Sequence, residues 1–134
     1  MTTGSRKKAD GPLRSPCPVA ATLDLIGDKW SLLVIRDLFL GKRTYGEILS
    51  SPEGIPTNIL ADRLRRLEES GLIEATAYQD RPVRYAYTLT ARGKALHRVL
   101  DAVVRWGKQY IPGTMTRMQA KVSGAATVAR SRKK

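Results

Sequence analysis

Thr57-Asn-Ile-Leu-Ala-Asp-Arg-Leu-Arg-Arg-Leu-Glu-Glu69 is the stretch on which the fold turns. At about 100° of helical rotation per residue, Leu60, Leu64 and Leu67 fall on one line. Asn58, Asp62, Arg65 and Glu69 fall opposite, with Arg66 beside them and Arg63 nearer the apolar side. The spacing predicts an amphipathic helix that begins near Pro56 or Thr57 and ends before Gly71. Immediately upstream, Thr44 to Leu49 predicts a short helix with Tyr45, Ile48 and Leu49 as packing residues. Ser50-Ser51-Pro52-Glu53-Gly54 between the two is a turn by composition. Two helices joined by a tight turn make a helix-turn-helix.

Working outward, Leu72 to Tyr78 and Arg84 to Leu89 are extended candidates separated by Gln79-Asp80-Arg81-Pro82-Val83. Tyr85 and Tyr87 alternate with Ala86 and Thr88, the pattern of a half-exposed strand, so the pair reads as a hairpin, or wing. Thr90 is placed to cap one long final helix carrying Leu96, Val99, Leu100, Val103, Trp106 and Tyr110, up to the breaker Pro112. On the other side, a first helix opens at Cys17 with Pro18 in its first position. It offers Leu23, Leu25 and Ile26 to a core and ends at Gly27. Asp28 then caps a second helix, Lys29 to Leu40, in which Trp30, Leu33, Val34, Leu38 and Phe39 are expected to be mostly buried, and Gly41 stops it.

The predicted class is α+β: a winged helix-turn-helix with a two-stranded hairpin wing. A domain this small has limited core left for the stripe of the last helix. Part of that stripe, with the first helix, therefore reads as a dimer surface, the alternative being that it folds back on its own domain.

Composition narrows the functional classes. At 134 residues the chain has room for one domain with a modest core, read as residues 16–111. No apolar run is long enough for a membrane span or signal-peptide core, which points to the cytoplasm. Cys17 is the only cysteine and His97 the only histidine, so no disulfide framework, metal site or other cofactor is expected. No grouping of nucleophile, base and orienter stands out, and no phosphate loop, so an enzyme is not expected. The formal charge of +12 invites a polyanion. Residues 1–16 carry +3 of it and residues 112–134 carry +6, leaving +3 for everything between. Non-specific attraction is thus concentrated in the arms, 1–15 and 112–134, which read as basic and disordered, and the middle must supply discrimination.

A helix that reads DNA needs donors and acceptors near its start and positive charge toward the phosphates. Thr57 and Asn58 open the helix, and Asn58 has the amide that pairs with adenine. Arg65 or Arg66 reaches guanine or backbone. Asp62 accepts from cytosine or orients an arginine at helical spacing, and Arg63 braces the domain or meets a phosphate by its tip. Lys42, Arg43 and Thr44 before the short helix, and Arg81 and Arg84 on the wing, stand where a winged domain reaches adjoining phosphates. Any soluble helix carries charge on its wet face; here the conjunction of turn, helix and basic hairpin carries the reading.

Cys-Pro-Val at 17–19, Thr-Leu-Asp-Leu-Ile-Gly-Asp-Lys-Trp at 22–30, Gly-Lys-Arg at 41–43 and Gly-Glu-Ile at 46–48 stand in order along the chain. Asn-Ile-Leu-Ala-Asp-Arg-Leu at 58–64, Leu-Glu at 67–68, Gly-Leu-Ile at 71–73, Arg-Pro-Val-Arg-Tyr at 81–85 and Tyr-Thr-Leu-Thr-Ala-Arg-Gly at 87–93 follow. Together they closely resemble the HxlR family of bacterial transcriptional regulators, from about Cys17 to Gly107. The resemblance implies a dimeric winged helix-turn-helix protein that binds a two-fold-related operator in double-stranded DNA, usually as a repressor. It implies that the helix 57–69 reads, the hairpin 74–89 is the wing, and the first and last helices make the dimer. Two departures are visible: Pro56-Thr57 stands where the family often has Ser-Pro, and Ala86 replaces a common acidic residue.

Some members of the family sense oxidants or electrophiles through a cysteine placed like Cys17. A thiol at a helix start is stabilised as thiolate by the helix dipole, and Arg14 is near enough in sequence to add to it. A buried, inert cysteine and a small-molecule effector are the competing readings. For the chain as a whole, the competing function is a non-catalytic winged module that binds RNA or another protein.

Overall fold

The computed structural model describes residues 12–115, and the chain divides into two compact units, Met1–Lys94 and Ala95–Lys134. Of the two basic arms, only residues 12–15 and 112–115 fall among those described.

In the first unit, α1 spans Pro18–Ile26, with Cys17 as its N-cap and Pro18 in its first turn. Only Ile26 of this helix is buried; Leu25 is half-buried and Leu23 and Val19 are exposed. Helix α2, Ser31–Phe39, starts two residues later than the sequence pattern suggests. Asp28 nevertheless closes its first turn, its carboxylate accepting from the backbone N–H groups of Trp30 and Ser31. Val34, Ile35 and Leu38 are the buried apolar residues of α2, whereas Trp30, Leu33 and Phe39 are half-buried. The buried arc is narrower than the apolar spacing suggested, and Ile35, outside that expectation, is the most enclosed side chain of the helix.

Helix α3, Tyr45–Leu49, is only five residues long and is held by a capping box. Thr44 Oγ1 accepts from the Glu47 N–H, and the Glu47 carboxylate accepts from the Thr44 and Arg43 N–H groups. Helix α4, Thr57–Glu69, has the expected bounds and buries Leu60, Leu64 and Leu67, the line read from its spacing. Together with Ile26, Ile48, Ile55, Leu72 and Ile73 these side chains make the core of the unit.

Strands β1, Ile73–Asp80, and β2, Val83–Leu89, pair antiparallel with Ile73 opposite Leu89 and a bulge between Ala77 and Gln79. They run further toward the tip than expected, leaving Arg81 and Pro82 as the loop, where Gln79 Nε2 donates to the Pro82 carbonyl. The chain before α3 joins the hairpin: Thr44 bridges to Ala86, and the Tyr87 N–H donates to the Arg43 carbonyl at 2.7 Å.

The single long helix expected from Thr90 is two helices, α5 at Ala91–Lys94 and, in the second unit, α6 at His97–Tyr110. Thr90 does cap, but it caps α5, and the short helix is tied to the turn after α4. Thr90 Oγ1 accepts from the Gly93 N–H and donates to the Gly71 carbonyl, while Arg92 donates to the Ser70 carbonyl. Gly93 lies so close that a Cβ there would stand 2.1 Å from the Leu72 carbonyl oxygen. Gly71 turns at φ +77°, a conformation other residues rarely adopt.

In α6 the apolar stripe separates into two lines. Leu100 is buried, with Val104 and Gly107 half-buried on its side. Val103, Trp106 and Tyr110 are exposed, the last two at 60% and 59%, with ring centroids 5.2 Å apart. Arg98, Val99, Ala102, Val103 and Trp106 line a shallow groove along the exposed side. Leu96 stands at the N-cap, half-buried and outside the exposed line.

Candidate nucleic-acid interface

The turn between α3 and α4 sets where α4 begins, and α2 holds that turn. Arg36 on α2 makes a bidentate pair with Glu53, at 2.7 and 2.8 Å, and also donates to Asp37. Arg36 lowers the Glu53 pKa against a smaller burial penalty. Ser51 in the turn donates to the buried Asp37 carboxylate and accepts from Lys42 Nζ at 2.7 Å. Lys42, expected to meet phosphate, is thus engaged in holding the turn, whereas Arg43 is exposed. Thr44 serves as the N-cap of α3.

Pro56 is the N-cap of α4 and supplies no side-chain hydrogen bond. Without a side-chain cap, the first-turn N–H groups are left to solvent or to an anion. Tyr45 Oη donates to the Thr57 carbonyl at 2.9 Å, joining the two helices of the motif near this end. Thr57 and Asn58 are exposed.

One turn further on, the charged residues are organised around Asp62. Its carboxylate accepts from Arg63 and Arg65, and from Arg66 at 3.4 Å. Arg65 also reaches Glu69 at 3.4 Å. The Arg65 and Arg66 side chains are well exposed, at 56% and 46%, while that of Arg63 is only 15% exposed. Arg63 turns back across the unit, and its Nε donates to Asp28 at 2.8 Å, linking α4 to the start of α2. Of the two roles weighed for Arg63, the bracing one matches this placement. Desolvation opposes ionisation of Asp28. Hydrogen bonds from Ser31 and Arg63 and from the Trp30 and Ser31 backbone outweigh it and hold the carboxyl far below its ordinary range. Asp62 is likewise lowered: a burial penalty is outweighed by Arg66 and Arg65.

Arg81, in the hairpin loop, and Arg84, at the start of β2, are both exposed. Cys17 is exposed rather than buried, and its N–H donates to Ser15 Oγ. Arg14, expected to assist the thiol, is spent on a bidentate pair with Asp24 at 2.8 and 3.0 Å. Among the described residues no group of acidic, histidine and cysteine side chains could hold a metal ion.

Three functional features escape a reading along the chain. The capping box carried a visible signal in Thr44-Tyr-Gly-Glu47. The Arg63–Asp28 and Arg36–Glu53 pairs carried none, since their partners lie 35 and 17 positions apart.

Residues 25–115 match the model of the HxlR-like helix-turn-helix. The chain belongs to that family. The HxlR-like chain is 41% identical over 95 residues to an HTH-type transcriptional regulator of Synechocystis, covering 71% of this chain and 70% of the relative. It is 38% identical to one from Mycobacterium tuberculosis, over 70% of this chain but only 59% of that longer relative. Among solved structures it is similar to the reduced form of the transcriptional regulator YodB from Bacillus subtilis. That likeness has a TM-score of 0.61 at 30% identity and covers 75% of this chain and all of that one. The winged helix-turn-helix architecture and the family resemblance seen in the motifs are both borne out.

Proposed function

We propose that this HxlR-like chain is a DNA-binding transcriptional regulator that reads a two-fold-related duplex operator as a homodimer, with repression as its ordinary output. The observation that carries the reading is the outward face of α4. Its uncapped first turn, Asn58, Arg65 and Arg66 lie opposite the buried leucine line, on a helix whose start is held by Arg36–Glu53 and Tyr45–Thr57. Asn58 and Arg65 are assigned to base edges, and Thr57, Arg66, Arg43 and the wing residues Arg81 and Arg84 to phosphates. The exposed line of α6, Val103, Trp106 and Tyr110, with the half-buried Val99 beside it, is assigned to a second copy of the chain. No catalytic role is proposed. No described helix is long and apolar enough to cross a membrane, and we place the protein in the cytoplasm with DNA.

Selection of preferred duplexes from a random pool tests the proposal. A palindromic consensus with half-sites a whole number of helical turns apart is expected. Equal recovery of unrelated sequences overturns the reading, and preferential capture of RNA favours the competing module. Deletion of residues 113–134 is expected to weaken binding evenly across sequences and to flatten its salt dependence. For the effector we propose an oxidant acting at the exposed Cys17, by an intersubunit disulfide using one thiol from each copy. Non-reducing electrophoresis after mild oxidation should give a covalent dimer; a wholly monomeric band overturns this.

A further inference from the structure

Asp62 is an odd residue to find in the middle of a helix face meant for a polyanion. Its charge repels phosphate, and three arginines converge on it, from positions 63, 65 and 66. The three are not equivalent. Arg63 is mostly covered and is anchored at 2.8 Å to Asp28, which is itself fixed by Trp30 and Ser31 at the start of α2. Arg65 and Arg66 are exposed and have no anchor of that kind on another element among the hydrogen bonds described. Asp62 Oδ2 is therefore tied to the body of the unit through Arg63 and also accepts from the exposed Arg66 at 3.4 Å, while Oδ1 accepts from the exposed Arg65.

We propose that Asp62 is a latch that keeps Arg65 and Arg66 folded against α4 and releases them only on a duplex that offers base-edge donors in exchange, so that it sets selectivity by suppressing binding to DNA at large. This rests on the DNA-reading role of α4 proposed above.

The physical basis is an exchange of partners. Ion pairs at this exposure are weak and are readily given up for a better acceptor. On arbitrary DNA, Arg65 and Arg66 gain phosphates but leave Asp62 with Arg63 as its one remaining cation beside a polyanion, and with Oδ1 facing no donor. On a matching duplex an exocyclic amino group of cytosine or adenine fills those lone pairs, and both arginines are free for guanine or backbone. Discrimination then comes from a penalty on wrong partners as much as from attraction to the right one. Asp28 and Arg63 act as positioning residues: they keep the carboxylate from following the arginines outward.

The test uses the full chain and two duplexes, one selected from a random pool and its scrambled counterpart, with affinities measured over a range of salt. Asp62→Asn should bind the scrambled duplex about tenfold more tightly, with a salt slope steeper by about one to two, as one or both released arginines reach phosphate. The ratio between selected and scrambled duplexes should shrink correspondingly. Asp62→Glu, which keeps the charge, should keep most of that ratio, and thermal unfolding of both variants checks that they fold alike.

Unchanged scrambled binding in Asp62→Asn overturns the latch. A loss confined to the selected duplex also overturns it, because Asp62 would then act only as a reader of a base and not as a restraint on the arginines. If the wild-type chain binds both duplexes alike, the regulator reading falls and the latch with it. A selective wild type with an equally selective Asp62→Asn removes the latch alone.

Discussion

Helices α4 and α6 are nearly equal in length, 13 and 14 residues, and both carry an apolar line along one side. In α4 that line disappears: Leu60, Leu64 and Leu67 are among the most enclosed residues of the chain. In α6 only Leu100 is enclosed, while Val103, Trp106 and Tyr110 stay exposed. Amphipathicity thus marks two faces without saying which one works. On α4 the apolar face is spent on the fold, and the wet face is the one proposed to meet DNA. On α6 an apolar face remains unspent within one chain, and leaving large aromatic residues in water is unfavourable unless a partner covers them.

The largest effect should come from attacking the spent face. Leu60→Ala removes a fully buried side chain and should cost about 2–5 kcal/mol in chemical unfolding. A loss below about 1 kcal/mol would break the contrast, because α4 would then be no better packed than a surface helix.

The matching change on α6 is Val103→Asp, which should hardly alter the fold of a single chain. If a second copy covers this line, it should weaken self-association by at least about 2 kcal/mol, roughly thirtyfold, in sedimentation equilibrium. An unchanged dimer would place the interface elsewhere.

On the wet face of α4, Arg65→Ala should leave folding intact and cost about 1–3 kcal/mol of discrimination at one position in each half-site. Repeating the duplex selection with the variant measures this; an unaltered consensus would remove Arg65 from the reading set.

The smallest effect concerns the link behind that face. Asp28 has a depressed folded-state pKa, so its stabilisation is complete above the ordinary aspartate pKa of about 4 and is lost as the pH falls toward the folded value. Asp28→Asn should therefore cost about 1 kcal/mol at pH 7, as expected for a helix cap, with a gap to wild type that narrows in acid. A gap independent of pH would mean that the charge of Asp28 contributes nothing.

Much of this was legible in the chain because the relevant signals are local. The Leu60–Leu64–Leu67 spacing, the helix start at Pro18 and the stop at Gly71 depend on neighbours within a turn or two. The helical period therefore located α4 to within a residue and separated its buried face from its exposed one. The same reasoning failed at Thr90. A cap signal followed by an apolar stripe suggests one continuous helix, but the hydrogen bonds of Thr90 and Arg92 to the α4 turn, and the approach of Gly93 to Leu72, commit α5 to that turn instead. Nor did it announce the hydrogen bond of Lys42, read as a phosphate contact, to Ser51.

The sequence by itself determined most of the helices, the hairpin, the family and the charged face of α4 that is proposed to meet DNA. Periodicity, capping and turn chemistry act over a few residues and leave their pattern in the chain. Tertiary structure alone decided which of the four charged residues Asp62, Arg63, Arg65 and Arg66 are available on that face. Arg63 is withdrawn to Asp28, 35 positions away, and Asp62 gathers the others around it. Such pairings depend on where the fold brings two side chains in space, and side-chain type and spacing do not encode that distance.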